Sequence, residues 1–446
     1  MNERIVVGVD IGTTKVCAII ASHNTQGQIN ILGIGVAESE GLNRGVVVNI
    51  EKTVLSVQKA VREAERSADV KVQSVVVGIA GDHIQSLQSR SVVTVANRSD
   101  NEITRDDVQR LIDDARQIHM PAGREILHVI PQEYIVDGHE GVQDPVGMSG
   151  VRLEGNVHII SGLVTAANNI HKCIERAGYE VAALVFEPLA SSYAVLYPDE
   201  REVGVALIDI GGGTTDIAVF EEHTIRHTAV IPVAGTRVTD DIRIGLGILR
   251  DQAERLKCRY GTLLVDEQEP DQDILVQGIG DRPVKPISQS VLTQIIQPRL
   301  EEILEAARGE IQNSGFATRL GAGVVLTGGG SMIPGISELA TAVLGHESRV
   351  GQPLGIGGGL VTEVQNPKFA TAVGLVMYAI TPEVFGGHAI KGPMGIWSSS
   401  LQPPAEEPAS TPSPSQPSHS SPPEQTSRES VLSRIGQKVK VWFDEL

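Results

Sequence analysis

The chain has 446 residues, 41% of them apolar and only 3% aromatic, and carries a formal net charge of −18. That length allows two to four compact units of roughly 100–200 residues, and a core so poor in aromatics must be built from Val, Ile, Leu and Ala, which favours α/β layers with buried parallel strands. The acidic balance excludes sequence-independent binding of nucleic acid, which needs a basic face.

In chain order, residues 1–10 lack the architecture of a signal peptide. The apolar run 5–9 ends at Asp10 and predicts a buried strand; 16–21 and 28–35 predict two more. Residues 53–67 have helical spacing, with Val54, Val57, Val61 and Ala64 on one face, and 75–79 is another buried strand. The texture then changes. Residues 85–95 alternate, and 104–118 read as a helix with Thr104 at the N-cap and Asp106 and Asp107 in the first turn. Residues 125–136 and 157–165 read as strands joined by a Gly-rich polar stretch. Because parallel-strand signals resume afterwards, 84–165 is expected to be an inserted small α+β unit.

Next come a helix at 168–178, a strand at 181–187, a helix at 188–196 and a strand at 203–210 that repeats the situation of 5–9. Residues 240–258 are expected to be helical, and 261–286, acidic and broken by Gly and Pro, to form a surface lobe. A helix at 298–314, a buried strand at 323–327, a helix at 333–344 and the segment 367–378 close the ordered body. No run of about 18 uncharged apolar residues suggests a membrane span. Cys17, Cys173 and Cys258 form no CxxC pair, so neither a zinc site nor a disulfide framework is indicated, and a reducing cytosol fits.

Two stretches carry the chemistry. Asp10-Ile11-Gly12-Thr13-Thr14-Lys15 follows one apolar strand, and Asp209-Ile210-Gly211-Gly212-Gly213-Thr214-Thr215-Asp216 follows another almost 200 residues later. A carboxylate at a strand end can hold a hydrated Mg²⁺. Glycines let backbone N–H groups approach phosphate oxygens with no Cβ in the way. Threonine hydroxyls and Lys15 can add donors. The alternative is a pair of tight hairpin turns, since Asp, Gly and Thr are common turn residues. Neither stretch is a Walker A loop. A third element, Thr327-Gly328-Gly329-Gly330-Ser331, could let a base or ribose lie flat against the backbone.

Residues 386–427 are dense in Pro and Ser and cannot bury enough surface to offset their ordering entropy. The segment 386–429 is therefore expected to be a disordered linker, reaching on the order of 35 Å as a flexible coil. The chain ends SVLSRIGQKVKVWFDEL. Leu432, Ile435, Val439, Trp442, Phe443 and Leu446 fall on one helical face, flanked or opposed by Arg434, Lys438 and Lys440. Such a helix over 430–446 suits the lipid interface; the alternative is a helix that docks on a partner protein or on the body. Six apolar side chains at roughly 1.5–3 kcal/mol each are largely offset by ordering the segment. One such foot binds weakly, and many held together bind tightly.

The three glycine-rich elements, in this order, resemble the ATPase superfamily of actin, DnaK-type chaperones and sugar kinases. Phe186-Glu187-Pro188 resembles that superfamily's first connecting segment and 370–374 its second. The resemblance implies an actin-like fold of two lobes, with ATP and Mg²⁺ in the cleft between them. It places the first lobe core at 1–83 and 166–197, and the second at 198–237 and 301–385, with its last helices packing back on the first lobe. A smaller subdomain of the second lobe falls at 238–300. Asp10 and Asp209 are expected to hold Mg²⁺, directly or through water, and Glu187 to order the attacking water. Glu254 and Lys257 lie on the helix that faces adenosine in this superfamily; the other reading is a solvated helix face.

Within the superfamily the chain is similar to the FtsA family of bacterial division proteins. The similarity rests on the inserted unit, the segment Gly41-Leu42-Asn43-Arg44-Gly45-Val46-Val47, the segment from Val233 to Ile242 containing Gly235, and the tail. It implies an adaptor that polymerises, anchors the tubulin-like protein FtsZ to the cytoplasmic face of the membrane at the division site, and recruits later divisome proteins through the insert. FtsZ is expected near 238–300, and ATPase activity is expected to be slow at most. The alternatives are a small-molecule kinase of the same superfamily and a pilus-assembly platform protein.

Overall fold

The apolar run that ends at Asp10 forms the strand Arg4–Ile11 in a computed structural model that describes residues 4–23, 28–95, 101–264, 271–278, 280 and 283–380. It is central in a six-stranded sheet whose order is Glu180–Phe186, Ser74–Ile79, Arg4–Ile11, Lys15–His23, Ile29–Glu38 and Ile356–Gly359. The first three strands run parallel. The next two return as antiparallel hairpins, so the sheet is mixed where composition suggested parallel layers. An apolar run does not encode strand direction; the tight loops that connect these runs set it. The side chains from Val16 to Ala21 are fully buried, because the helices Ile50–Ala68 and Ala370–Ile380 both pack on this sheet.

The second sheet repeats the plan with five strands, in the order Thr224–Ile231, Thr215–Glu221, Val205–Ile210, Val324–Thr327 and Ser348–Val350. Its own core includes Ile208, Ile217, Val219, Leu292, Ile296 and Leu304. Two helices join the halves. Glu187–Val195 leaves the end of strand Glu180–Phe186, and Ala370–Ile380 returns from the second half to the first sheet. They cross so closely that a Cβ on Gly374 would lie 2.0 Å from the carbonyl oxygen of Ala190.

The insert forms a four-stranded antiparallel sheet, Gln85–Thr94, Arg152–Leu163, Arg124–Val136 and His139–Val142, with the helix Arg105–Ala115 against it. It also touches the second sheet. Gln132 Nε2 donates to Ile225 O at 2.7 Å, Gln88 Nε2 to Arg226 O at 3.3 Å, and His158 Nε2 lies 3.3 Å from Thr228 Oγ1.

Several element boundaries differ from those the pattern predicts. The strand expected at 157–165 begins at Arg152 and yields at Val164 to a helix that continues to Ala177. The helix expected over 240–258 is two helices, Gly235–Leu246 and Arg250–Tyr260, because Gly247 adopts the left-handed conformation (φ +63°) that ends the first. The helix expected from Pro298 starts at Gln289, where the Ser288 hydroxyl accepts the Val291 N–H. Pro298 sits inside it; the missing hydrogen bond is offset by burial of Leu292, Ile296, Leu300 and Ile303. The linker at 386–429 and the amphipathic stretch at 430–446 lie outside the described residues. Among the described residues no helix is long and apolar enough to cross a membrane.

Candidate nucleotide cleft

Both Asp–Gly–Thr stretches are hairpin turns, and they are the same turn built twice. Gly12 N–H donates to Lys15 O at 2.9 Å, and Gly211 N–H donates to Thr214 O at 3.0 Å. In the strands behind them Asp10 pairs with Cys17, and Asp209 with Asp216. Turn chemistry and anion binding are therefore not rivals here, since the turn is what presents the loop. The tips face each other. A Cβ on Gly212 would lie 2.5 Å from Thr14 Cγ2, and one on Gly213 would lie 2.5 Å from Thr13 Oγ1. Gly45 adds a third strand of contact, donating its N–H to Thr13 Oγ1 at 3.2 Å.

This apposition gathers charge. Lys15 Nζ meets Asp10 Oδ2 at 2.6 Å. Burial works against the ammonium, but the Asp10 carboxylate and, more weakly, Asp209 hold its pKa above the ordinary value. Asp209 is pushed up to about 6 by burial, although Ser191 Oγ donates to its Oδ2 at 2.9 Å and lowers it. Asp216 is pushed up to about 7 by burial and the neighbouring Asp209 charge, against a hydrogen bond from Thr214. Glu187 is raised well above the carboxylate range, by burial first and then by Asp10, Asp216 and Asp209. Asp216 Oδ1 is buried without a hydrogen-bond partner.

Crowded, partly desolvated carboxyl oxygens of this kind are the donor set of a hard divalent cation. No group of three or more His, Cys, Asp or Glu among the described residues forms a complete metal cage. Asp10 and Asp209, one at each turn, fit Mg²⁺ as it is ordinarily held, through one or two carboxylates with water and phosphate oxygens filling the rest.

On the other flank, Gly235 begins its helix directly under the second loop. Its N–H donates to Gly211 O at 3.1 Å, and Thr236 N–H to Gly212 O at 2.8 Å. Lys257 Nζ binds Gly235 O at 3.1 Å, Thr239 Oγ1 at 2.9 Å and Glu254 Oε2 at 2.7 Å. Thr239 Oγ1 also donates to Glu254. With only 12% of its side chain exposed, Lys257 is no solvated surface lysine. It and Glu254 bolt their helix to the base of the second loop.

The glycine run at 328–330 reaches the same place. Gly328 (φ +81°) passes so close that a Cβ would lie 2.3 Å from Asp209 Oδ1, whereas nothing stands within 4 Å of that position on Gly329. Some predicted donors turn inward. Thr215 Oγ1 donates to Val233 O at 2.8 Å and Ser331 Oγ to Gly328 O at 2.8 Å, so these hydroxyls hold the loops' shape.

Sequence reasoning passed over Ser191 and Thr371. They lie on the two joining helices, 3.0 Å apart, and both point at Asp209 Oδ2. Thr371 falls inside the second connecting segment, 370–374, and Ser191 in the helix that the first one opens. Lys368 was also missed; it and Lys15 lie 5.1 Å and 6.0 Å from the centroid of the Phe369 ring. Leu432, Ile435, Val439, Trp442, Phe443, Leu446, Arg434, Lys438 and Lys440 lie outside the described residues.

Comparison with known proteins adds two family matches. Residues 206–374 match the family model described as cell division protein FtsA, and residues 81–161 match the one described as the SHS2 domain inserted in FtsA. The cell division protein FtsA of Pseudomonas aeruginosa is 44% identical over 385 residues, spanning 86% of this chain and 91% of that protein. Among solved structures, the PilM–PilN type IV pilus biogenesis complex superposes with a TM-score of 0.61 at 17% identity, covering 84% of this chain and 98% of that one. MreB5 of Spiroplasma citri bound to ADP superposes with a TM-score of 0.52 at 16% identity, covering 85% and 97%. At such identities these two likenesses speak to an actin-like fold alone.

Proposed function

Because the chain belongs to the FtsA family of cell division proteins, we propose that it binds Mg²⁺·ATP between its two hairpin loops and uses that binding to govern assembly at the membrane. The observation that carries this reading is the mutual approach of residues 10–15 and 209–216 from the two sheets, with carboxyl groups that burial has raised.

When bound, Mg²⁺·ATP supplies the electrostatic tie between the lobes and a phosphoanhydride bond that water can cleave. The chain's residues do the rest. Asp10 and Asp209 hold the cation, directly or through water. The backbone N–H groups of residues 13, 14, 212 and 213 would take the phosphate oxygens from two sides, those of Gly12 and Gly211 being used in closing the turns, and Lys15 would add charge. Gly235, Gly328, Gly329 and Gly330 admit the nucleoside, beside the helix fixed by Glu254 and Lys257. Glu187, beside the two loops, orders the attacking water, and turnover is slow at most. A switch needs only unequal ATP affinity in two conformations.

The assembly roles follow the same reading. ATP favours closed lobes and self-association into filaments. The segment 430–446 attaches the filament to the cytoplasmic face of the membrane at the division site, and the insert recruits later division proteins. FtsZ docks on the region 238–300. Support for that placement comes from exposed apolar side chains there: Ile244 (68% exposed), Leu249 (56%), Leu275 (74%) and Val291 (40%). A pilus-assembly platform is the weaker alternative, since the likeness to the pilus complex is 17% and that to the division protein 44%. A small-molecule kinase needs a substrate pocket with its own base, and Asp10, Asp209, Asp216 and Glu187 crowd together at the two loops.

The direct test is titration of a fluorescent ATP analogue with and without Mg²⁺, for wild type and Asp209→Ala. Mg²⁺-dependent binding that the substitution abolishes supports the reading. Retained binding in Asp209→Ala contradicts the site.

A further inference from the structure

His128 lies in the insert, on strand Arg124–Val136, yet its ring reaches the first lobe. It is fully buried, and its Nε2 accepts the N–H of Phe186 at 2.9 Å. Phe186 ends the edge strand Glu180–Phe186, which pairs with a neighbour on one side only, so an outward N–H there has no strand to meet. Phe186 is also the N-cap of helix Glu187–Val195, and its side chain makes no cap hydrogen bond. The next residue is Glu187.

Keeping an imidazole here is unfavourable in itself. Accepting at Nε2 puts the proton on Nδ1, and Nδ1 is buried without a partner. An apolar side chain of similar volume would avoid that orphan donor. What an apolar side chain cannot do is accept the Phe186 N–H. The bond fixes the Val185–Phe186 peptide, one residue ahead of Glu187, where the chain turns from strand to helix and the N-cap side chain makes no hydrogen bond. Glu187 is itself confined: a Cβ on Gly78 would lie 2.8 Å from its Oε1. A small rotation at the strand–helix junction therefore displaces the carboxyl relative to the two loops.

We infer that His128 is a positioning residue for Glu187, through which the inserted unit sets the alignment of the group that orders the attacking water. This rests on the role proposed above for Glu187. It gives the insert a direct mechanical connection to turnover, distinct from its contacts with the second sheet.

The test compares wild type, His128→Leu and His128→Gln in the full chain. Gln places an acceptor oxygen near the Nε2 position; Leu offers none. ATP affinity is read by titration, hydrolysis by single-turnover release of phosphate, and folding by thermal melting; if His128→Leu does not fold, His128→Asn, too short to reach the amide, takes its place. The expected result is turnover about 10- to 100-fold lower in His128→Leu, with ATP affinity within about threefold and with His128→Gln close to wild type. Unchanged turnover in His128→Leu overturns the inference, as does an equal loss in His128→Gln or a parallel loss of affinity and turnover. Wild type that binds ATP without turning it over removes the role of Glu187, and this inference with it, while ATP binding stands.

Discussion

Asp209 is held by two hydroxyls that no local pattern connects. Ser191 comes from one joining helix and Thr371 from the other, 180 positions apart in the chain, and both converge on one carboxylate oxygen. Outer partners of a metal ligand, the role proposed for Asp209, typically contribute 10- to 100-fold to metal affinity. Ser191→Ala should therefore weaken Mg²⁺-dependent ATP binding by about tenfold while leaving Mg²⁺-independent binding in place, as isothermal titration with and without Mg²⁺ will show. The aspartates themselves were legible, because a carboxylate at the end of an apolar strand followed by Gly and Thr is a local signal. Lys257 was expected to face the adenosine, and spacing could not show that its ammonium would cap Gly235 O beneath the loop. Ser191 and Thr371 were not legible, because what matters about them is where two helices cross.

Those helices cross where the two halves of the body join, and the tightness of the crossing depends on Gly374. A methyl group there lands on the Ala190 backbone, so Gly374→Ala should destabilise the body by about 1–3 kcal/mol, the usual penalty of overpacking, readable in a urea melt. The insert is a second element with a checkable property. Its buried imidazoles, His128 and His158, are pushed down to about 4 by burial, assisted by Arg116 for the first and His227 for the second. The unfolded chain takes up these protons near pH 6.5 and the folded chain only near pH 4. Their contribution to stability is thus whole above about pH 6.5 and is lost as pH falls toward 4. Melting temperatures recorded stepwise across that window should fall, and should fall less in a His128→Gln/His158→Gln double variant.

The surface of the second lobe offers a third test at this scale. Leu275→Lys combined with Ile244→Lys should weaken binding of FtsZ by at least about tenfold, measured by fluorescence anisotropy, with the melt unchanged. Elements were predicted best where one face is buried, as in Ile50–Ala68. They were predicted worst where a glycine or proline had two readings. Gly247 split a helix that the pattern ran together, and Pro298 sat within a helix that it was expected to begin.

At the scale of the whole molecule, the two-lobed plan was readable because the chain states it twice: strand, carboxylate, glycine turn and return strand recur in each half. The strand directions and the contact between the insert and the second sheet were not readable, since both depend on how distant segments pack. In the proposed switch, nucleotide would close the lobes, closed lobes would assemble, and assembly would multiply weak terminal attachments into firm binding. The most direct test is recruitment of FtsZ to vesicles of anionic lipid by the full chain, with and without ATP and with and without residues 430–446. The account predicts recruitment by the intact chain with ATP, loss of recruitment when 430–446 are removed, and strong reduction in Asp209→Ala. Equal recruitment by the truncated chain, or by the intact chain regardless of nucleotide and of Asp209, would contradict it.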